Sequence, residues 1–118
     1  MDYIPGNKLI IAVIKFDDYE DTAEKLTTSG FFMTLLSSTG GFLKKKNATI
    51  MIGVDEGSVD KVMEILRSTA GVRREKVYVG ATSAEGHILP GSVASIPVER
   101  DAGGAVAFVM TLDHMEKF

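Results

Sequence analysis

Residues 31–54 read FFMTLLSSTGGFLKKKNATIMIGV, and this stretch decides the fold. It begins and ends with apolar runs, Phe31 to Leu36 and Ala48 to Val54, which predict two strands. The segment between them contains paired glycines and three lysines, a composition typical of a surface turn. The stretch therefore predicts a β-hairpin with a basic loop.

One strand and one helix are predicted on each side of this hairpin. Acidic or hydroxyl side chains stand where helix N-caps are expected, and glycine follows each helical pattern. The predicted elements are a strand at Leu9 to Ile14, a helix capped by Asp17 or Asp18 and ended at Ser29-Gly30, a helix capped by Ser58 and ended at Gly71, and a strand at Ala105 to Leu112. The predicted inward stripes are Tyr19, Ala23 and Leu26 in the first helix, and Val59, Val62, Met63 and Leu66 in the second. The order is that of an α+β, ferredoxin-like βαββαβ sandwich.

The predicted strands are apolar on both faces. In the first hairpin strand, Met33 and Leu35 alternate with Phe32 and Leu36. Two helices can cover only one face of a four-stranded sheet, so the other face needs a different cover. We therefore expect the second face to be buried against other subunits in a cyclic assembly.

The composition limits the location and the partners of the chain. Its 118 residues predict a single domain over 1–118, and its net charge of -3 gives no general attraction to nucleic acid or anionic lipid. It has no cysteine, which excludes disulfides and cysteine metal sites. The apolar run Leu9 to Ile14 is far shorter than a membrane span, and Met1 to Asn7 lacks the basic start of a signal peptide. We expect a cytoplasmic protein whose partners include no membrane and no nucleic-acid polymer.

Residues 76–98 form a long connection between the second helix and the last strand. Glycines and prolines recur along it, so no helix is expected there. Connections this long in compact domains are usually functional or disordered. The sequence predicts a long flexible loop at 76–98, with Val77 to Val79 as a short edge strand.

The hairpin loop, Thr39 to Asn47, is the best candidate for a binding site. Its glycine pair can turn amide hydrogens towards an oxyanion, and Lys44 to Lys46 supply positive charge. Phe42 offers a flat apolar ring, and Asn47 offers both a donor and an acceptor. This inventory suits a ligand with phosphates and a ring. The alternative is a hairpin loop whose lysines only keep it soluble.

No catalytic residues and no metal site are predicted. The loop lacks the second glycine and the Lys-Ser/Thr of a Walker A motif, and no G-x-S-x-G elbow occurs. His87 and His114 have no metal-ligand spacing. An acylphosphatase-like enzyme would need a basic phosphate loop after the first strand, but Lys15 to Asp21 is acidic and would repel phosphate. We therefore expect a non-enzymatic protein.

Leu36 to Lys44 and Asn47 to Gly53 together resemble the PII-like cyclic-di-AMP receptor family. The resemblance runs from Lys8 onward, and Thr39 to Gly53 is its most specific part. Further matching segments are Lys8 to Ala12, Val98-Glu99, Gly103 to Ala105, Phe108 to Met110 and Phe118.

The resemblance implies a homotrimeric signal-transduction protein of PII-like fold that binds cyclic-di-AMP in clefts between subunits. It implies no cofactor besides this ligand, and its downstream partner is a protein that the sequence does not name. The ligand contacts carried over by position are Thr34, Gly41, Phe42, Leu43, Asn47, Gly53 and Phe108. The connection of 76–98 corresponds to a loop that orders or moves on ligand binding. The alternatives are a PII-type sensor of ATP or ADP, and a partner-binding trimer without a ligand.

Several positions depart from the family's pattern. Phe32 stands where a ligand-facing arginine is usual, and Lys117 stands where a glutamine is usual. Ala84 to His87 replace a Met-Gly-Gly segment. Because Lys44 to Lys46 make the hairpin loop more basic than usual, we expect these lysines to replace the charge of the arginine.

Overall fold

The computed structural model describes residues 2–3, 7–39, 47–80 and 95–118. The strands are β1 (Asp2–Tyr3), β2 (Asn7–Lys15), β3 (Phe32–Thr39), β4 (Asn47–Asp55), β5 (Arg73–Gly80), β6 (Ser95–Ala102), β7 (Ala105–Thr111) and β8 (Glu116–Lys117). The helices are α1 (Tyr19–Thr28) and α2 (Val59–Ala70). These elements belong to two compact units, Met1–Val72 with Gly103–Phe118, and Arg73–Ala102. The single domain expected over 1–118 stays a prediction.

The first unit is built on an antiparallel sheet with the strand order β3-β4-β2-β7. β2 lies in the interior and pairs with β4 along its whole length, from Asn7 opposite Asp55 to Lys15 opposite Asn47. The main elements of this unit follow the order β2-α1-β3-β4-α2-β7 along the chain. This βαββαβ order is consistent with the ferredoxin-like fold. The α+β class predicted from the sequence is confirmed.

The two helices cover one face of this sheet. Alternate residues of β2 and β4 point towards them, because strand side chains alternate between the two faces. The apolar core consists of Ile10, Ala12, Ile14, Ala48, Ile50, Ile52 and Val54 from the sheet, and Leu26, Val62, Ile65, Leu66 and Ala70 from the helices. Removing this apolar surface from water, at roughly 25 cal/mol per Å², is the main term that stabilises the unit.

The helices begin where the sequence predicts, but the predicted N-cap side chains do not form capping hydrogen bonds with the first turn. Asp18 and Ser58 occupy the N-cap positions, and neither side chain makes a capping hydrogen bond. The Ser58 hydroxyl instead donates to Asp55 Oδ1 at 2.7 Å. A 3-10 turn precedes each helix, so the first N–H of α1 already has a backbone acceptor in the carbonyl of Phe16. Of the helices formed by the described residues, none has the length and apolar character needed to cross a membrane.

The other face of the sheet, which we call the open face, is covered by neither of the described helices, α1 and α2. It carries Leu9, Ile11 and Val13 of β2, Phe32 and Thr34 of β3, Asn47, Thr49, Met51 and Gly53 of β4, and Val106, Phe108 and Met110 of β7. Phe32, Val106 and Phe108 are exposed in the single chain. Of the two apolar faces predicted from the sequence, one therefore packs against the helices and the other is the open face.

The second unit is a two-stranded antiparallel hairpin of β5 and β6. Val77 to Val79, predicted as a short strand, lie within the longer β5. The sequence predicts a long loop where β6 lies, because glycines and prolines recur along 76–98. Pro97 lies opposite Tyr78, and a strand with an unpaired edge tolerates proline, which lacks the N–H. The connection expected at 76–98 thus begins and ends in strands, and residues 81–94 lie outside the described part of the chain.

A small antiparallel ladder joins two segments that are far apart in sequence. β1 pairs with β8, with Asp2 opposite Lys117 and Tyr3 opposite Glu116. The sequence predicts only a short tail after residue 112, because two residues are too few to show a strand pattern. This ladder brings residues near the start of the chain to the C-terminal segment.

Candidate functional site

A cavity of about 370 Å³ lies at one end of the open face, against the C-terminal segment. Its wall is mostly apolar and is formed by Leu9, Phe32, Thr34, Met51, Gly53, Met115, Glu116 and Lys117. This volume is within the range of small-molecule sites, about 300–1,000 Å³. The open face therefore has a concave candidate site within the first unit.

Gly53 gives the C-terminal segment room to lie close to the sheet. In the sheet it has Leu9 and Phe32 as its partners on β2 and β3. A Cβ atom on Gly53 would come within 3.1 Å of the Met115 sulfur, which is tighter than ordinary van der Waals contact. Glycine inside a strand often marks such a close approach. A larger side chain at this position would displace Met115 or occupy the cavity.

Lys117 and Phe32 lie together at the wall of the cavity. The Phe32 residue is 71% exposed, and Lys117 Nζ lies 5.2 Å from the centroid of its ring. This distance is within the range of a cation–π interaction. The backbone of Lys117 also belongs to the ladder with β1. Its side chain and its main chain therefore each make a contact, with Phe32 and with β1 respectively.

The cavity wall contains a second charged residue of opposite sign. Glu116 Oε2 lies 3.2 Å from Nε2 of His114, which is outside the cavity wall. Thr34, Glu116 and Lys117 are thus the polar residues among the eight that form this mostly apolar wall. A few polar groups on an apolar wall can hold a ring and orient its polar atoms.

Thr34 and Gly53, two of the predicted ligand contacts, line this cavity. Phe108 lies in the same row of the sheet as Thr34, because Thr34 is opposite Met51, Met51 opposite Ile11, and Ile11 opposite Phe108. Three strand spacings separate Thr34 from Phe108, which amounts to about 14 Å. Phe108 is therefore on the open face but outside the cavity.

Asn47 also lies on the open face, at the opposite end of β4 from Gly53. The extended chain between them spans about 20 Å. Its strand partners are Lys15 and Thr39, and it does not line the cavity. The remaining predicted contacts, Gly41, Phe42 and Leu43, lie outside the described residues, as do Lys44, Lys45 and Lys46. Within one chain, the predicted ligand contacts that the structure describes do not surround a single site. Their binding role stays a prediction.

Sequence reasoning does not predict several residues of the cavity wall. Met115 and Glu116 belong to a segment too short for any periodicity, and they reach the sheet only through the folded chain. Leu9 and Met51 could have been found from the register of the sheet. They are the strand partners of Gly53 and Thr34 on the same face.

These features define a small α+β protein with a candidate ligand cavity on an uncovered sheet face. The model of the cyclic-di-AMP receptor family matches residues 7–118. The chain therefore belongs to the cyclic-di-AMP receptor family, and the resemblance stated from the sequence is confirmed. The match begins at the first residue of β2, so β1 lies outside it.

A solved structure is similar to this chain over almost its full length. It is the crystal structure of a functionally unknown protein from Pediococcus pentosaceus ATCC 25745, with 29% sequence identity and a TM-score of 0.74. The similarity covers 98% of this chain and 100% of that chain. It supports the α+β fold of this chain.

Proposed function

We propose that this chain is a non-enzymatic signal-transduction protein that binds cyclic-di-AMP in the clefts between the subunits of a homotrimer. The observation that carries the proposal is the family match over residues 7–118. The cavity beside Thr34 and Gly53 adds a site of suitable size within the matched region. The family is one of receptors, which supports binding rather than catalysis.

The open face supports a site between subunits. Its exposed apolar side chains, among them Val106 and Phe108, would be removed from water if other copies covered them. Asn47 and Gly53 lie at opposite ends of β4, about 20 Å apart, so a ligand in the cavity does not reach Asn47 of the same chain. In a closed ring, the Gly53 end of one chain and the Asn47 end of its neighbour form a shared cleft, which is repeated at every interface.

The chemistry of the cavity suits an adenine nucleotide. Leu9 and Met51 offer an apolar surface to a base, and the exposed ring of Phe32 can stack on it. The Thr34 hydroxyl can donate to a phosphate oxygen or accept from a base. Phe108 offers a second aromatic ring on the same face of the sheet. In a cleft formed by two subunits, one base of the ligand can stack on Phe32 and the other on Phe108.

The signal would arise in the segments next to the predicted contacts. Residues 40–46 join β3 to β4 immediately before Asn47, and residues 81–94 join β5 to β6. A ligand held by Gly41, Phe42 and Asn47 would fix the conformation of the first segment. A downstream protein that binds only one arrangement of these loops would then respond to cyclic-di-AMP.

Calorimetric titration of the wild-type protein with cyclic-di-AMP tests this proposal. We expect saturable binding of one ligand per chain, and ATP or ADP in large excess should leave the isotherm unchanged. Displacement by ATP or ADP would instead make the chain a mononucleotide sensor. The lack of any heat with all three ligands would overturn the proposal and favour a partner-binding trimer.

A further inference from the structure

The hairpin of β5 and β6 has two outer strand edges. It is a two-stranded sheet, and neither strand pairs with a third strand among the described residues. A hairpin of two strands is only marginally stable in water, and a third strand is one addition that makes such a sheet stable. Each outer edge presents backbone N–H and C=O groups that can pair with a further strand. The hairpin therefore has two edges at which another chain can add.

Pro97 shows which backbone groups point outward. It lies opposite Tyr78 in the antiparallel register and has no N–H, so these two residues cannot exchange a pair of hydrogen bonds. Opposite residues that do not bond each other direct their backbone groups away from the partner strand, and bonded and non-bonded pairs alternate. Arg74, Lys76 and Tyr78 therefore direct their N–H and C=O groups to the outer edge of β5.

The two edges differ in what they offer to an added strand. On β6, Pro97 lacks one of the N–H groups of the outward row, and proline at a strand edge opposes further pairing. β5 has the sequence RREKVYVG, in which every residue keeps its N–H. The outer edge of β5 is therefore the one that can pair with another strand along its whole length.

The charges of β5 favour an acidic partner. The strand begins with the sequence RREK, which has three bases and one acid. Arg74 lies 3.5 Å from Glu99 and 3.3 Å from Asp101 of β6, whereas Lys76 has no ion pair among the residues that the structure describes. Opposite charges on neighbouring strands stabilise a sheet, and like charges directly opposite each other destabilise it. A strand beside β5 therefore fits best with acidic side chains on the face of Arg74 and Lys76.

The other face of the hairpin is apolar near its centre. Val77 lies opposite Val98, and Ile96 is on the same face because it is two residues from Val98. Val98 and Ile96 are exposed. An apolar residue on an added strand would pack beside Val77 and continue this surface. The complement of β5 is thus an extended segment in which acidic and apolar residues alternate.

We propose that the outer edge of β5 is a docking site for a partner protein, which adds an extended segment of alternating acidic and apolar residues as a third strand. Backbone hydrogen bonds with Arg74, Lys76 and Tyr78 supply the contact, and the charges of β5 select the acidic side chains. The inference goes beyond the proposed function, because it concerns a partner protein and holds whether or not cyclic-di-AMP binds.

A labelled peptide tests this site in the full-length protein without cyclic-di-AMP. The probe is a peptide of the same length as β5 in which glutamate and valine alternate, and fluorescence anisotropy measures its binding. We expect saturable binding that weakens as salt is added, and no binding of a control peptide in which lysine replaces glutamate. Equal binding of the lysine peptide would overturn the inference, because the charges of β5 would then select nothing.

Methylation of the peptide backbone tests whether the probe binds as a strand. An added strand hydrogen-bonds to its neighbour through every second residue only. One version of the probe is N-methylated at its glutamates and the other at its valines. We expect one version to bind like the unmethylated peptide and the other to bind at least about tenfold more weakly, because it loses several backbone hydrogen bonds. Equal affinities of the two versions would contradict strand addition.

Proline substitution in each strand distinguishes the two edges. Lys76→Pro removes an N–H from the outer edge of β5, and Glu99→Pro, at the opposite position of β6, removes one from the other edge. Neither N–H takes part in the ladder between the two strands. We expect Lys76→Pro to weaken binding of the glutamate peptide about tenfold, and Glu99→Pro to bind it at least as tightly as wild type. Lys76→Gln, which keeps the N–H, should weaken it only about threefold by the loss of charge.

The same variants show which results overturn the inference. If both proline variants weaken binding equally, the peptide needs the folded hairpin but not the edge of β5. If Lys76→Pro binds like wild type, this edge is not used. Light scattering should give Lys76→Pro the wild-type mass, and a lower mass would show that another copy of this chain occupies the edge. None of these measurements uses cyclic-di-AMP, so they stand apart from the outcome for the proposed function.

Discussion

Gly53 is the residue at which the sheet and the C-terminal segment come closest. A Cβ atom there would lie 3.1 Å from the Met115 sulfur, and a β-branched side chain would extend further into the cavity. We therefore expect Gly53→Val to weaken cyclic-di-AMP binding at least about tenfold, as the loss of a well-packed ligand contact does. Its melting temperature should change little, because valine suits a strand. Calorimetry and thermal melting measure the two effects, and unchanged affinity would place the ligand elsewhere.

Asn7 is a polar side chain buried at the start of β2. It is 3% exposed, and its Oδ1 and Nδ2 atoms have no hydrogen-bond partner among the described residues. Because an unpaired buried amide is costly, Asn7→Leu should raise the free energy of unfolding by about 1 kcal/mol. Asn7→Asp, which buries a charge, should lower it. Denaturant unfolding measures both, and a destabilised leucine variant would show that the amide has a partner.

At the scale of elements, a side-chain hydrogen bond joins α1 to α2 where the two helices pack against each other. Thr22 Oγ1 lies 2.9 Å from Thr69 Oγ1, and the Thr69 hydroxyl also lies 2.8 Å from the Ile65 carbonyl, to which it donates. Since a hydroxyl has one proton, Thr22 donates to Thr69. Thr22 is fully buried, and Thr69 is its acceptor.

This arrangement predicts unequal effects of two similar substitutions. Thr69→Val should cost about 1–3 kcal/mol, because it leaves the buried Thr22 hydroxyl without its acceptor. Thr22→Val should cost only about 0.5–1.5 kcal/mol, because Thr69 keeps its bond to Ile65. The double variant should be no worse than Thr69→Val. Chemical denaturation of all four proteins measures the coupling, and additive effects would show that the two hydroxyls do not interact.

The main elements could be predicted from the sequence because their patterns are local. Leu9 to Ile14 and the two helical stripes lie within the structural elements, and the predicted hairpin strands differ from β3 and β4 by one to three residues at their ends. Thr22 could not be predicted as buried, because its hydroxyl is satisfied by a residue of the other helix. β6 lies in the segment predicted as a loop, because prolines such as Pro97 are typical of loops but are tolerated in an edge strand where the missing N–H would face away from the partner.

The candidate site was predictable only in part, because its wall comes from distant segments. Thr34 and Gly53 could be assigned through the family resemblance, and the structure brings both to one cavity. Met115 and Lys117 reach this cavity from the C-terminal segment. Lys117 departs from the family's pattern, but its position over Phe32 depends on a fold that no local pattern encodes.

At the scale of the whole molecule, the open face predicts self-assembly. Val106 is 56% exposed on this face, and we expect Val106→Glu to dissociate the trimer because it would bury a charge. Val72→Glu is the matched control, since Val72 is 77% exposed and is not part of the open face. Light scattering should give a lower mass for the first variant and the wild-type mass for the second. A trimeric Val106→Glu protein would exclude this face as the interface.

The central claim, a trimer that binds cyclic-di-AMP in its clefts, is tested most directly by native mass spectrometry of the wild-type protein with this ligand. A ring of three chains has three equal clefts, so we predict a trimer that binds up to three molecules of cyclic-di-AMP. No species with more ligands than chains should accumulate. A monomer that binds the ligand by itself, or a trimer that stays free of ligand at saturating concentration, would contradict the account.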